Sequence, residues 1–224
     1  MTVPEQLQVS ELFYSIQGES TRAGLPCAFI RLSGCNLHCS YCDSSYTRDE
    51  PGKKMSIDQI ITWLRDFPKT MVEITGGEPL LQDSVYPLME KLLKADRSIL
   101  LETSGSLSIQ HVPTAVSIIL DLKCPGSGMA EKNFWSNLDL LRYRKKLGSR
   151  DEIKFVLSSE EDFSWAQKII CKYQLTKDMP VLFSPVIPAL PPERVAARIL
   201  REQLPVRLQL QLHKQIWPGI HRGV

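Results

Sequence analysis

The chain has 224 residues, with 27 Lys and Arg against 25 Asp and Glu, giving a formal net charge of +2. Hydrophobic residues make up 43% and charged residues 23%, which excludes a disordered chain, and the length suffices to bury one large core without disulfides. The balanced charge gives no support to a nucleic-acid surface, no apolar run approaches the ~20 residues of a membrane span, and the start, MTVPEQLQVS, lacks the basic and apolar stretches of a secretory signal. The expectation is one cytoplasmic domain over residues 1–224, with neither nucleic acid nor membrane as partner.

In chain order, Val9–Gln17 and Cys27–Ser33 read as strands, and Cys35–Lys54, without apolar period, as a loop. Ser56–Phe67 reads as a helix with Ile57, Ile60, Ile61, Leu64 and Phe67 on one face, opened by a capping box of Ser56 and Gln59. Met71–Thr75 is a short strand, Leu81–Lys94 a helix, and Ser98–Thr103 a strand. Val116–Lys123 is a strand whose nearly continuous apolar run implies burial on both faces. Asn133–Leu147 reads as a helix and Glu152–Leu157 as a strand. A helix capped by Ser158 and Glu161 runs to Tyr173, and a strand follows over Val181–Ser184. Pro191 and Pro192 open a helix ending near Gln203, and Arg207–His213 closes the chain as a strand. Strand–helix alternation predicts an α/β fold, a mostly parallel sheet with helices outside it. The predicted strands end in polar residues, at Thr75, Glu102–Ser104, Asp121 and Lys123, Ser184, and Gln211 with His213. In barrel-like α/β folds such ends converge on one mouth.

Three of the six cysteines, Cys35, Cys39 and Cys42, form a CxxxCxxC loop, whereas Cys27, Cys124 and Cys171 are scattered and read as structural thiols. Thiolates suit zinc or an iron–sulfur cluster. Zinc needs a fourth ligand, which Cys27 or His38 could supply. A four-iron cluster held by three cysteines keeps one iron open for a small molecule.

The CxxxCxxC loop after a strand, with Tyr41 before its last cysteine, resembles the radical S-adenosylmethionine (SAM) superfamily, as does Gly76-Gly77-Glu78-Pro79 at the end of the next strand. Within it, Glu11–Ser20, Gly24–Cys35, Cys42-Asp43-Ser44, Glu102–Gly105, Asp121–Gly128 and Gln211–Lys214 resemble the 7-carboxy-7-deazaguanine synthase family along nearly the whole chain. The resemblance implies a truncated TIM-like barrel, one [4Fe–4S] cluster on Cys35, Cys39 and Cys42, and SAM against Gly76, Gly77, Glu78, Ser104, Gly105, Asp121, Leu122, Lys123 and Ser184. It implies a carboxypterin substrate against Ile16, Gln17, Gly18, Glu19, Arg31, Thr103, His213 and Lys214, with Arg31 on its carboxylate. It also implies Mg2+ on Ser44, where many relatives have Thr, a flavodoxin or ferredoxin electron donor, and a homodimer. Ser20 stands where relatives usually carry Gly. Two other readings compete: a glycyl-radical activating enzyme, which needs a groove for a protein loop, and a non-enzymatic zinc module.

Replacing Cys35, Cys39 or Cys42 by Ala is expected to abolish cluster loading, and Cys171→Ala to leave it intact. Iron and sulfide per chain after anaerobic reconstitution check this.

Overall fold

The computed structural model describes residues 5–224; residues 1–4, part of the stretch read as lacking a secretory signal, lie outside the described residues. The elements are β1 (Gln6–Ile16), β2 (Pro26–Leu32), α1 (Tyr46–Asp49), β3 (Lys53–Ser56), α2 (Ile57–Trp63), β4 (Met71–Gly76), α3 (Val85–Lys94) and β5 (Ile99–Thr103). They continue with β6 (Ser117–Asp121), α4 (Asn137–Lys146), β7 (Glu152–Leu157), α5 (Glu160–Tyr173), β8 (Val181–Pro185), α6 (Pro192–Arg201), β9 (Arg207–Leu208) and α7 (Leu212–Ile216).

The strands form one sheet of nine in the order β3-β1-β2-β4-β5-β6-β7-β8-β9. Every pairing from β2 to β9 is parallel, and β1 runs antiparallel to both β2 and β3. The sheet is open between β9 and β3, so the architecture is an α/β partial barrel. Among the described residues no helix is long and apolar enough to cross a membrane.

Side-chain alternation divides each parallel strand between two environments. Outward residues such as Ile30, Ile74, Leu101, Ile118, Leu120, Phe155 and Phe183 join Ile60, Leu88, Leu141, Phe163 and Val195 of the helices in one large core. Inward residues form a smaller cluster of Phe13, Cys27, Phe29, Met71, Leu100 and Ile119 near the strand starts, with Phe13 and Phe29 stacked at 4.6 Å. The strand register continues this inner face toward the C-terminal ends through Arg31, Glu73, Thr75, Glu102, Asp121, Lys154 and Ser184. The inner face is thus apolar at the base of β2, β4 and β5 and charged toward its mouth, while Arg22 meets buried Ser117 and Glu152 at the starts of β6 and β7. Burial of β6 on both faces agrees with its apolar run.

Several boundaries differ from the sequence reading. The capping box of Ser56 and Gln59 is present. The stretch 35–54 holds one helical turn, α1, and the start of β3, which has a partner only in β1. A 3-10 turn at Pro79–Leu81 delays α3 to Val85, because Glu78 caps that turn by accepting from the Leu80 amide. α4 starts at Asn137, since Asn133 is spent bridging both backbone groups of Lys123 and Asn137 accepts from the Ile109 amide. Ser159, not Ser158, caps α5, accepting from the Asp162 amide, while Asp162 accepts from the Ser158 amide and hydroxyl. The final strand ends at Leu208, and His213 and Lys214 lie on α7, so these two residues do not end a strand. The alternation over 207–213 misleads because Gln209 and Gln211 spend their side chains on Glu19, pulling the chain off the ladder. Cys27 and Cys124 are buried as expected of structural thiols, but Cys171 is exposed on α5.

One buried ion pair ties the strand starts to the helical layer. Arg144 of α4 meets Asp151 at 2.9 Å and donates to the carbonyls of Val112 and Val116, while Asp151 also accepts from the Ile118 amide. Removing one partner of such a pair leaves an uncompensated buried charge, at about 3–5 kcal/mol. Asp151→Ala is therefore expected to lower the unfolding free energy by about that amount, as urea denaturation of the purified protein checks.

Candidate active site

The cysteine loop is fixed from three sides. Below it, Gly77 donates its amide to Leu32 and Glu78 donates to Gly34, so the end of β4 lies directly on the backbone that enters the loop. A Cβ at Gly77 would overlap the Gly34 carbonyl and press on Cys35; one at Gly76, where φ is +138°, would overlap the Leu32 backbone. On the far side Ser40 donates its amide to the Ser127 carbonyl and its hydroxyl to that of Gly126 at 2.7 Å. Tyr41 reaches inward to donate to the Val156 carbonyl at 3.3 Å, and its half-buried phenol is held well above its usual range by burial, helped by Asp121.

Cys35 and Cys39 are half-buried and Cys42 is exposed. Burial raises the Cys35 and Cys39 thiols, and the Lys123 ammonium opposes that rise at both. Lys123 itself pairs with Asp121 at 2.7 Å. Among the described residues no three His, Cys, Asp or Glu side chains gather closely enough to hold a single metal ion. Cys27, offered as a fourth zinc ligand, is sealed in the inner apolar cluster, with its thiol raised by burial and by the charge of Glu73. Three soft thiolate donors on an open loop fit a multi-iron cluster with one iron left free.

Glu78 is fully buried. Its carboxylate accepts from the Leu80 amide, the Thr103 hydroxyl at 2.8 Å, and the Ser104 amide and hydroxyl. It clamps the end of β4 to the end of β5. The Thr103 side chain is turned to this clamp, and its neighbour Glu102 takes the inner face instead. Gly105 adopts φ +69° and Leu122 donates to the Lys154 carbonyl, so these two residues contribute backbone shape. Asp121 keeps one carboxylate oxygen, Oδ1, buried without a partner among the described residues. Ser184 is buried at the inner end of β8.

Arg31 donates through Nε to Glu11 at 2.8 Å and lies over the Phe13 ring. Its terminal nitrogens have no hydrogen-bond partner among the described residues. Burial opposes the Arg31 charge, but Tyr46 and the carboxylates of Glu11 and Asp43 more than restore it. Gln17 is buried; its amide donates to Glu73 and accepts from the Glu19 amide at 3.0 Å, beside Ile16 at the end of β1. Gly18 is a close approach, because a Cβ there would overlap the His213 ring. Burial lowers the His213 pKa, and the charge of Glu19 opposes this. Lys214 pairs with Asp43 at 2.9 Å. Burial would raise the Asp43 carboxyl, but Lys214 and Gln211 bring it well below the carboxylate range. Ser44 sits with its hydroxyl 3.9 Å from the Cys42 sulfur. Ser20 adopts φ +65°, the region glycine favours, and is held by Gln209.

Two inner-face residues, Glu73 and Lys154, lie outside the sequence-based site, and Glu102 enters it only as a polar strand end. Glu73 and Lys154 are charges in the middle of the largely apolar strands MVEIT and EIKFVL, a pattern that was the available signal. Burial pushes the Glu73 carboxyl up to about 8, with Glu102 adding to the rise and Gln17 opposing it.

The radical SAM superfamily profile matches residues 29–124. A 7-carboxy-7-deazaguanine synthase of Chlorobaculum tepidum is 44% identical over 224 residues, covering all of both chains. The chain belongs to the 7-carboxy-7-deazaguanine synthase family of radical SAM enzymes. Enzymes of the same name from Koribacter versatilis and Methanospirillum hungatei are 40% and 39% identical, covering 97% and 94% of this chain and 100% and 85% of theirs. Among solved structures, QueE from Escherichia coli superposes with a TM-score of 0.73 at 24% identity, over 93% of this chain and 95% of that one, a likeness of fold. Radical SAM enzymes use a [4Fe–4S] cluster and SAM, and the CxxxCxxC loop of this 7-carboxy-7-deazaguanine synthase family member is the matching donor set.

Gly77→Ala is expected to fold but to load cluster poorly, because the methyl group displaces Gly34 and Cys35. A normal far-UV circular dichroism spectrum with at least a threefold drop in bound iron checks it.

Proposed function

We propose that the chain is a 7-carboxy-7-deazaguanine synthase that contracts the ring of 6-carboxy-5,6,7,8-tetrahydropterin with loss of ammonia, in 7-deazapurine and queuosine biosynthesis. The observation that carries this reading is the full-length 44% identity to a family member, joined to a polar inner face that opens beneath the cysteine loop. That face offers small-molecule chemistry, and the glycyl-radical activase and zinc-module readings find no comparable support.

In this reading one domain spans residues 1–224 and works in the cytoplasm, with a flavodoxin or ferredoxin as electron donor and a second copy as partner in a homodimer. Cys35, Cys39 and Cys42 hold the cluster. When bound, the cluster supplies one electron for reductive cleavage of SAM, the source of the radical that attacks substrate.

The protein's own work is positioning. Gly76 and Gly77, held in place by the Glu78 clamp, receive the methionine amino group on their backbone, and Ser104, Gly105, Asp121, Leu122, Lys123 and Ser184 line the rest of SAM. The unpartnered Asp121 Oδ1 supports this, since a buried acceptor needs a donor and SAM brings several. Ile16, Gln17, Gly18, Glu19, His213 and Lys214 border the pterin, whereas Thr103, read from the sequence as a substrate contact, has its side chain on Glu78 and leaves the inner face to Glu102. Arg31, anchored through Nε by Glu11, turns its free terminal nitrogens to the pterin carboxylate. The Ser44 hydroxyl contributes an oxygen to Mg2+.

Under anaerobic conditions, the reconstituted protein with SAM, dithionite and carboxypterin is expected to yield 7-carboxy-7-deazaguanine and ammonia. Absence of both products overturns the reading. Losing a buried charged contact costs about 2–5 kcal/mol, so Arg31→Ala should raise the pterin KM at least about thirtyfold while SAM affinity holds. If SAM affinity falls instead, the two halves of the site are reversed. In the same assay turnover should respond to Mg2+, and less so in Ser44→Ala.

A further inference from the structure

The buried charges of the inner face are joined in a closed circuit. Glu73 of β4 accepts from the Gln17 amide, and the Gln17 carbonyl oxygen accepts from the Glu19 amide. The Glu19 carboxylate accepts from Lys154 of β7 at 2.8 Å. The same ammonium donates to Glu102 of β5, and Glu102 accepts from the Thr75 hydroxyl of β4 at 3.1 Å. The circuit therefore returns to the strand on which it began. Lys154 is its one cation, with a side chain only 7% exposed.

Two features give this arrangement a role beyond stability. Gln17 and Glu19 come from the loop after β1, whereas Glu73, Glu102 and Lys154 come from strands, so the circuit locks a loop to the rigid sheet. Glu19 is also the point where the C-terminal segment attaches, since its carboxylate accepts from both Gln209 and Gln211 at 2.8 Å. Burial opposes the Lys154 charge, but the carboxylates of Glu102 and Glu19 hold it far above the ordinary lysine range. A long side chain fixed at both carboxylates has little rotamer freedom left, and the groups it holds inherit that rigidity.

We infer that Lys154 is a positioning residue for substrate recognition: its ammonium orients the Glu19 carboxylate for the pterin ring, beside the Gln17 carbonyl oxygen that the Glu19 backbone amide holds. The inference rests on the function proposed above. A carboxylate and an amide carbonyl held at fixed spacing accept from the donor-rich 2-amino-4-oxopyrimidine edge of such a ring. Without the ammonium, Glu19 keeps only Gln209 and Gln211 of the C-terminal segment as donors and loses its tie to β7, which forfeits part of that binding with no change at the cysteine loop.

The test compares the reconstituted holoenzyme with Lys154→Met, with Glu19→Gln, with the double variant Lys154→Met/Glu19→Gln, and with Lys154→Met/Glu102→Gln, which removes opposite charges together and leaves less unpaired charge buried. The readouts are bound iron, SAM dissociation constant, pterin KM and kcat. Lys154→Met is expected to raise the pterin KM at least tenfold, with iron content unchanged and SAM affinity within threefold of the parent. Glu19→Gln should raise KM comparably, and adding Lys154→Met to it should change KM less than threefold further, because both act through one carboxylate. The Lys154→Met/Glu102→Gln variant should reproduce the KM rise.

A KM within threefold of the parent in either folded Lys154 variant overturns the inference, as does a SAM affinity that falls in parallel. Additive effects of Glu19→Gln and Lys154→Met overturn the route through Glu19. If no Lys154 variant folds, Lys154 is a stability residue and the inference falls. A parent enzyme that makes no product from the carboxypterin overturns the proposed function first, and an active parent with unaffected Lys154 variants overturns only the role of Lys154.

Discussion

A cation buried among carboxylates constrains everything on the inner face of this sheet. An ammonium removed from water costs several kcal/mol unless its partners approach closely and are themselves held. Lys154 meets that condition only because β7, β5 and the loop after β1 converge on it, bringing Glu102 and Glu19 into contact. The curvature of the sheet, the path of the loop and the attachment of the C-terminal segment are therefore coupled. Each supplies a group that another element's charge requires.

The mouth of the barrel is organised by a different device, close packing of backbone on backbone. Gly76 and Gly77 let the end of β4 lie against Leu32 and Gly34. The sequence reading attributes these glycines to the approach of a ligand. In the structure they first bring two strand ends together, and the ligand loop inherits its position from that contact. Glu78 then extends the same fixing to β5 through Thr103 and Ser104. The motif couples the cysteine loop to two successive strands, so the loop takes its position from the sheet as well as from the bonds of its own Ser40 and Tyr41.

The C-terminal segment takes the place of a ninth full strand. β9 contributes only Arg207 and Leu208, and the open side of the barrel is occupied by side chains. Gln209 and Gln211 reach Glu19, Lys214 reaches Asp43 beside the last cysteine, and Arg222 reaches Glu50 and lies over Tyr46. The segment thereby touches both the loop after β1 and the cysteine loop. A continued ladder would leave these carboxylates without their donors.

The sequence by itself determined the alternation of strands and helices, the parallel sheet, the α2 capping box and the cysteine trio, because each is a local pattern or a short spacing. Strand centres were legible to within a residue or two wherever the apolar runs were long, as in Glu152–Leu157. It also placed Thr75, Asp121 and Ser184 at strand ends, which the structure gathers on one face. Only the tertiary structure decided which side each residue faces. The parity of a strand against its neighbours is a long-range quantity, set by register, and it sends Thr103 to the Glu78 clamp and Glu102 to the inner face. For the same reason His213 lies on a helix, where Gly18 leaves room for its ring. The alternating run before it resembles a strand, and only its partners across some 190 residues of chain, the Gln209 and Gln211 bonds to Glu19, show why that strand stops.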